Sequence, residues 1–351
     1  MGSGDTGDDA VPEGLTLAET FSLDTTDIIY MDIDDANRYQ LYRKPATGSK
    51  TAAITDSTFG VWDYQLSPDL STIAYAAPRE FGGSDIWLID VDGSNPRLLL
   101  SCEDATCSRV TWSPDGQQLV YERLEVVSPQ SPLGVTTLWW LSLDSGDTGP
   151  VFRDSQLPSY SPAWSPDGQW LSYIAPGTTN VQIYNLTDGR NIEIPSQTGN
   201  AAVWAPDGSA LLVTEIWEDG GQFFTHLMRY DMDSGTTTDL TTVEQAGDTW
   251  ATWSPDGEWI AVVRRIYKGP NAAMGDQVWV MRADGSYARQ LTETPDVIHG
   301  TPIWSPDSRY VTFQRYPLAG SESEPGVWLL DIVTGDLEQA APSGNWPTWL
   351  P

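Results

Sequence analysis

The chain has 351 residues, with 18 Lys and Arg against 49 Asp and Glu, giving a net charge of −31 at pH 7. Phosphate groups are held by concentrated positive charge, so this balance excludes nucleic acid and an anionic membrane surface as expected partners. There is no run of 18 apolar residues, and 17 Trp, 31 Gly and 25 Pro point to short strands and many turns instead of long helices.

At the N-terminus, residues 1–9 contain almost nothing apolar to bury, and residues 1–26 are expected to form a disordered acidic linker. No charged-then-apolar leader is present, so a secretion signal or lipid anchor is expected to lie outside this chain. Three short strands are expected next, over residues 28–33, 39–43 and 51–54. A phrase then returns: Trp112-Ser113-Pro114-Asp115-Gly116, Trp164-Ser165-Pro166-Asp167-Gly168, Trp204-Ala205-Pro206-Asp207-Gly208, Trp253-Ser254-Pro255-Asp256-Gly257 and Trp304-Ser305-Pro306-Asp307-Ser308. Degenerate copies stand at Leu66-Ser67-Pro68-Asp69 and at Trp349-Leu350-Pro351. The phrase suits a tight turn: Pro fixes φ, Asp accepts from nearby amides, and Gly takes the left-handed conformation. A strand ends at each Trp, an alternating apolar strand follows the turn, and two more strands complete the unit.

The steps between copies, 46, 52, 40, 49, 51 and 45 residues, match the blade period of a β-propeller. The first strand of a unit occurs seven times, but the last copy has no strands after it. The three N-terminal strands are expected to complete that unit and close the ring. The predicted fold is therefore an all-β, seven-bladed propeller with four-stranded blades, in one domain over residues 27–351.

The repeated Trp-Ser-Pro-Asp-Gly phrase, followed by an apolar strand, resembles the TolB-like, WD-like β-propeller repeat, over roughly residues 27–351. The resemblance implies a propeller of the kind found in periplasmic, lipoprotein or cell-surface proteins that bind other proteins. It also occurs as the propeller of prolyl-oligopeptidase-type enzymes, and fold alone does not decide between these.

Acyl-transfer chemistry of the prolyl-oligopeptidase kind is disfavoured, because the only histidines are His226 and His299 and there is no Gly-x-Ser-x-Gly elbow. His226 reads as structural, and His299, in the loop before a first strand, as a ligand-facing candidate. Propeller lyases resembling this repeat hold a metal with several His, which two histidines in different blades cannot supply, so no metal or other cofactor is expected. Cys102 and Cys107 are expected to form a disulfide, since zinc would need two further ligands, and an oxidising, extracytoplasmic location follows. The Asp-rich stretches at 90–95, 231–235 and 331–335 suit hairpin turns; calcium is the alternative, but none has the spacing of a full calcium loop. Most of the Trp are core residues between blades.

Counting eight residues forward from each turn Asp reaches Ala77, Arg123, Ala175, Glu215, Arg264 and Arg315. Three of the few basic residues thus share one blade position, at a rim that also carries Trp217, Arg265, Tyr267, Lys268, His299, Tyr316 and Trp346. Long loops over 124–135, 266–275 and 316–325 emerge there. Each Arg either pairs with an acid of the adjacent blade or belongs to a basic, aromatic site. The expected function is non-catalytic, extracytoplasmic recognition of a protein or peptide through this face, with the protein secreted, periplasmic or cell-surface. The alternative is a carbohydrate-active hydrolase or lyase using carboxylates in the central funnel.

Overall fold

The computed structural model describes residues 26–46, 50–125, 134–154, 156–178, 180–269 and 272–351. The linker expected over residues 1–26 falls, except for Thr26, outside them, as does most of the loop expected over 124–135.

The repeated phrase builds the same turn each time. In the copy at 113–116, Ser113 Oγ donates to Asp115 Oδ1 at 2.6 Å and accepts from the Gln118 amide at 2.9 Å, while Asp115 Oδ1 accepts from the Gln117 amide at 3.0 Å. The copies beginning at Ser67, Ser165, Ser254 and Ser305 repeat the Ser-to-Asp bond. Gly116, Gly168, Gly208 and Gly257 close their turns at φ of +69° to +74°, a conformation costly for residues with a Cβ. Leu70 and Ser308 occupy the same position at +59° and +61°.

Most strands in the described residues are short segments paired antiparallel with a sequence neighbour, so the units are up-and-down meanders. Four sheets have four strands: the closing sheet (Asn345–Leu350, Asp27–Ile33, Tyr39–Lys44, Ala52–Ala53) and those of residues 160–195, 203–239 and 246–290. The described residues form six sheets instead of the seven separate four-stranded sheets expected, and two departures are seen. A single parallel pair, Ser84 with Thr106, merges the units of residues 63–100 and 105–150 into one eight-stranded sheet. In the sheet of residues 297–341 the first strand is split into Val297–His299 and Ile303–Trp304, giving five strands. Pro302, inside the gap, has no N–H to offer the ladder. The terminal strand pairs antiparallel with the N-terminal one, Asp27 facing Leu350 and Ile28 facing Trp349.

The sheets pack face to face around an axis, the arrangement of a β-propeller. Leu119 and Tyr121 pack on Ala74, Ile86 and Leu88 of the preceding unit, Ile260 and Val262 on Leu212 and Leu227, and Val311 and Phe313 on Val278 and Val280. Each such side chain contributes about 1.5–3 kcal/mol on burial. The closing sheet packs on both sides: Ile28 and Trp349 meet Val327, while Ile29 and Leu41 meet Ile73 and Tyr75.

The first strands form the inner ring, tied together by their tryptophans. The indole N–H groups of Trp112, Trp204, Trp253, Trp304 and Trp349 donate to the carbonyls of Gln65, Ala163, Val203, Thr252 and Ile303, one unit back, at 3.0–3.3 Å. Tyr64 adds a link across the closing sheet by donating to the Trp346 carbonyl at 2.5 Å, whereas the Trp164 indole N–H is buried without a partner.

Candidate binding face and inner-ring site

The three equivalent arginines end the rows that pack on the preceding sheet: 119, 121, 123; 260, 262, 264; and 311, 313, 315. Their cross-strand partners on the third strand are Thr137, Gln277 and Gly326, and each guanidinium lies over the Trp two residues further on. Arg123 stands 4.9 Å from the Trp139 ring, Arg264 5.0 Å from Trp279 and Arg315 4.5 Å from Trp328. One geometry thus recurs three times, a cation capping an apolar layer, each worth about 0.5–2 kcal/mol.

This corrects the expected rim. Arg264 is wholly buried and bonds Asp248 through Nε and Nη2, both at 2.6 Å; Asp248 belongs to the same sheet, not to an adjacent blade. His299 keeps 1% of its surface and Arg315 6%. Burial pushes His299 down to about 4, against the bond from its ring to the Asp276 carbonyl. Arg123 is partly buried with Glu125 at 3.7 Å. Glu215 accepts from the amides of Ile216 and Gln197, at 2.7 and 3.2 Å, and serves its own loops.

Of the remaining rim residues, Trp217, Tyr267, Lys268, Tyr316 and Trp346 are exposed, and Arg265 is half-buried. Trp217 stacks on His226 with ring centres 5.2 Å apart, and His226 Nδ1 bonds Asp239 at 2.8 Å, so His226 is a packing residue. Trp217 sits on the longest hairpin, Ala210–Asp219 with Gln222–Asp231, which turns at Gly220 and Gly221. Phe224 meets Tyr267 edge-on at 5.3 Å, and Arg265 lies 5.2 Å over the same tyrosine. These residues flank an open groove of about 490 Å³ lined by Gly221, Gln222, Phe223, Phe224, Tyr267 and Lys268. Phe223 is 71% exposed. The two phenylalanines went unselected in the sequence; the Gly-Gly tip beside them was the available signal. Tyr316 donates to Asn345, and Trp346 is more than half exposed.

A second place lies on the inner ring. Arg109, Ser161, Trp250 and Trp346 each stand three residues before a Trp of the same strand, and all four are at positive φ, between 46° and 54°. Asp63 accepts from the Arg109 amide at 2.9 Å, Glu122 accepts from the Ser161 amide at 2.7 Å, and Arg109 Nε approaches Glu122 at 3.7 Å. Burial raises both carboxyls above their ordinary range, and Arg109 works against this in each. Asp63 Oδ1 is buried without a partner. Abundant carboxylates hid this pair from sequence reasoning.

Cys102 and Cys107 are joined by a disulfide. In the Asp-rich stretches, Asp92, Asp231 and Asp331 accept from the amides of Ser94, Ser234 and Val333, so these carboxylates serve their own turns. Among the described residues no group of three His, Cys, Asp or Glu could hold a metal ion.

Fold and site together define a propeller with an aromatic rim and an acidic inner ring. The chain belongs to the family described as eukaryotic translation initiation factor eIF2A, whose model matches residues 105–287. It is 26% identical over 243 residues to the uncharacterized protein Atu1656 of Agrobacterium fabrum, covering 64% of this chain and 78% of that protein. It is 23% identical over 227 residues to the uncharacterized peptidase YuxL of Bacillus subtilis, covering 62% of this chain but only 31% of the peptidase. Among solved structures it is similar to an oligogalacturonate lyase in complex with manganese, with TM-score 0.66, 14% identity and coverage of 88% and 86% of the two chains. It is also similar to TolB from Acinetobacter baumannii, with TM-score 0.51, 17% identity and coverage of 92% and 82%. At these identities the structural likeness shows the propeller fold alone.

Proposed function

We propose that this chain is a non-catalytic recognition propeller that binds a protein or peptide through the rim carrying the hairpin of residues 210–231. One observation carries this reading: Phe223 and Tyr267 are exposed together at an open groove that Lys268 also lines, on a strongly negative molecule, with Trp217 exposed on the same hairpin as Phe223 and Arg265 over Tyr267. Large exposed aromatics with adjacent cations are the anchors that protein interfaces use. The ring is read as seven blades over residues 27–351, counting the eight-stranded sheet as two units because a single parallel pair joins them. An extracytoplasmic location, secreted, periplasmic or cell-surface, is supported by the Cys102–Cys107 disulfide.

The test is selection of a displayed peptide library on the wild type, followed by calorimetric titration of the enriched peptides. The double variant Phe223→Ala/Tyr267→Ala is expected to melt like the wild type and to bind at least tenfold more weakly. Absence of enriched peptides, or equal binding by the variant, overturns the reading. The enzymatic alternative rests on Asp63 and Glu122, whose raised carboxyls suit proton transfer. Depolymerisation of acidic oligosaccharides that Glu122→Gln abolishes would establish it instead.

A further inference from the structure

The three equivalent arginines differ in what stands opposite them on the first strand. Cys107 faces Arg123, Asp248 faces Arg264 and His299 faces Arg315. Arg264 thereby gains a two-point carboxylate bond, and Arg123 has Glu125 within 3.7 Å. Among the described residues Arg315 has no carboxylate oxygen within 4 Å, although only 6% of its surface is exposed; Asp296 and Glu324 act on it from further away. A buried cation with no direct ionic contact is costly, which is why such groups are nearly always paired.

Two buried atoms there lack partners. Arg315 Nη2 donates to Thr294 Oγ1 at 3.3 Å, but Nε donates to nothing. His299 Nδ1 lies 2.5 Å from the Asp276 carbonyl, which can only accept, so Nδ1 carries the ring proton. Nε2 is then a bare lone pair, also buried and unpartnered. His299 and Arg315 are cross-strand partners, so their side chains emerge side by side on one face of the sheet.

We propose that Arg315 and His299 form a binding site for a small carboxylate, which takes the position against Arg315 that Asp248 holds against Arg264. The carboxylate accepts from Arg315 Nε, and one proton from solvent enters on His299 Nε2, which then donates to the second oxygen. Both orphaned atoms are satisfied and the arginine gains a direct ionic contact. The other charged groups nearby are Asp296 and Glu324, which act on Arg315, and Asp276, which acts with Arg265. Because a proton is taken up, binding tightens as pH falls. The site stands whether or not the aromatic groove takes a peptide.

The experiment is thermal melting with sodium formate replacing sodium chloride at constant ionic strength, at pH 5.5 and 7.5. A saturable rise in Tm of about 2 °C or more is expected, larger at pH 5.5. His299→Asp, which places beside Arg315 the carboxylate that Arg264 already has, is expected to lose the response. Should that variant fail to fold, Arg315→Met serves in its place, and the wild-type series decides on its own. Superimposable formate and chloride curves for the wild type, or an undiminished response in the folded variant, overturn the proposal.

Discussion

Arg264 and Asp248 form a closed pair: two bonds of 2.6 Å join them, and neither side chain keeps any accessible surface. An arginine that the repeat places at the rim is therefore an interior group, and its loss is felt by the fold. Arg264→Ala leaves Asp248 buried and uncompensated, and is expected to cost about 3–5 kcal/mol. Denaturant titration of Arg264→Ala beside Arg264→Met/Asp248→Leu checks this, since the double variant removes both charges and should recover much of the loss.

Acid should weaken the molecule through His299. Its folded value is pushed to about 4, while the unfolded side chain titrates near its ordinary 6.5. Between those values the unfolded state binds more protons, so stability falls as pH drops through that window and this group adds no further loss below it. The shift corresponds to about 3 kcal/mol at most. Asp63 and Glu122, raised by burial, act with the opposite sign, so the quantity to measure is the difference between wild type and His299→Gln across pH 4–7. A difference that does not change with pH would show that His299 is not the source.

Ring closure separates two tryptophans of one strand. Trp349 is buried against Ile28 and Val327 and donates to the Ile303 carbonyl at 3.0 Å, so Trp349→Ala is expected to cost about 3–5 kcal/mol. Trp346 is more than half exposed, and Trp346→Ala should stay within about 1 kcal/mol of the wild type. Parallel melts of the two variants decide the matter.

The first copy of the turn has room for improvement. Leu70 sits at φ +59° where other copies have Gly, and Asn tolerates that conformation better than a branched apolar side chain. Leu70→Asn is expected to raise stability by about 0.5–1 kcal/mol, measured as a shift of the denaturation midpoint at unchanged slope.

Much of the architecture was legible because the turn phrase is local: Ser113, Asp115 and Gly116 satisfy one another within a few residues, as do their counterparts. What faces the arginines was not legible, for a definable reason. Trp112 pairs with Leu119 and Trp253 with Ile260, and regular pairing from there would set Arg123 opposite Ser108 and Arg264 opposite Thr249. A bulge in each first strand, between Ser108 and Thr111 and between Thr249 and Thr252, inserts one residue and brings Cys107 and Asp248 into place instead. The same displacement sets His299 opposite Arg315. The acidic pair Asp63 and Glu122 escaped notice because its members lie on different units and meet only through the amides of Arg109 and Ser161.

The pairing of Asp27 with Leu350, Ile28 with Trp349 and Ile29 with Thr348 has a mechanical consequence. Both strands leave this ladder at the same end, so tension applied through whatever is attached to them peels its rungs one after another instead of shearing them together. The seam is therefore the point of least resistance to pulling, and under load the ring should open there first.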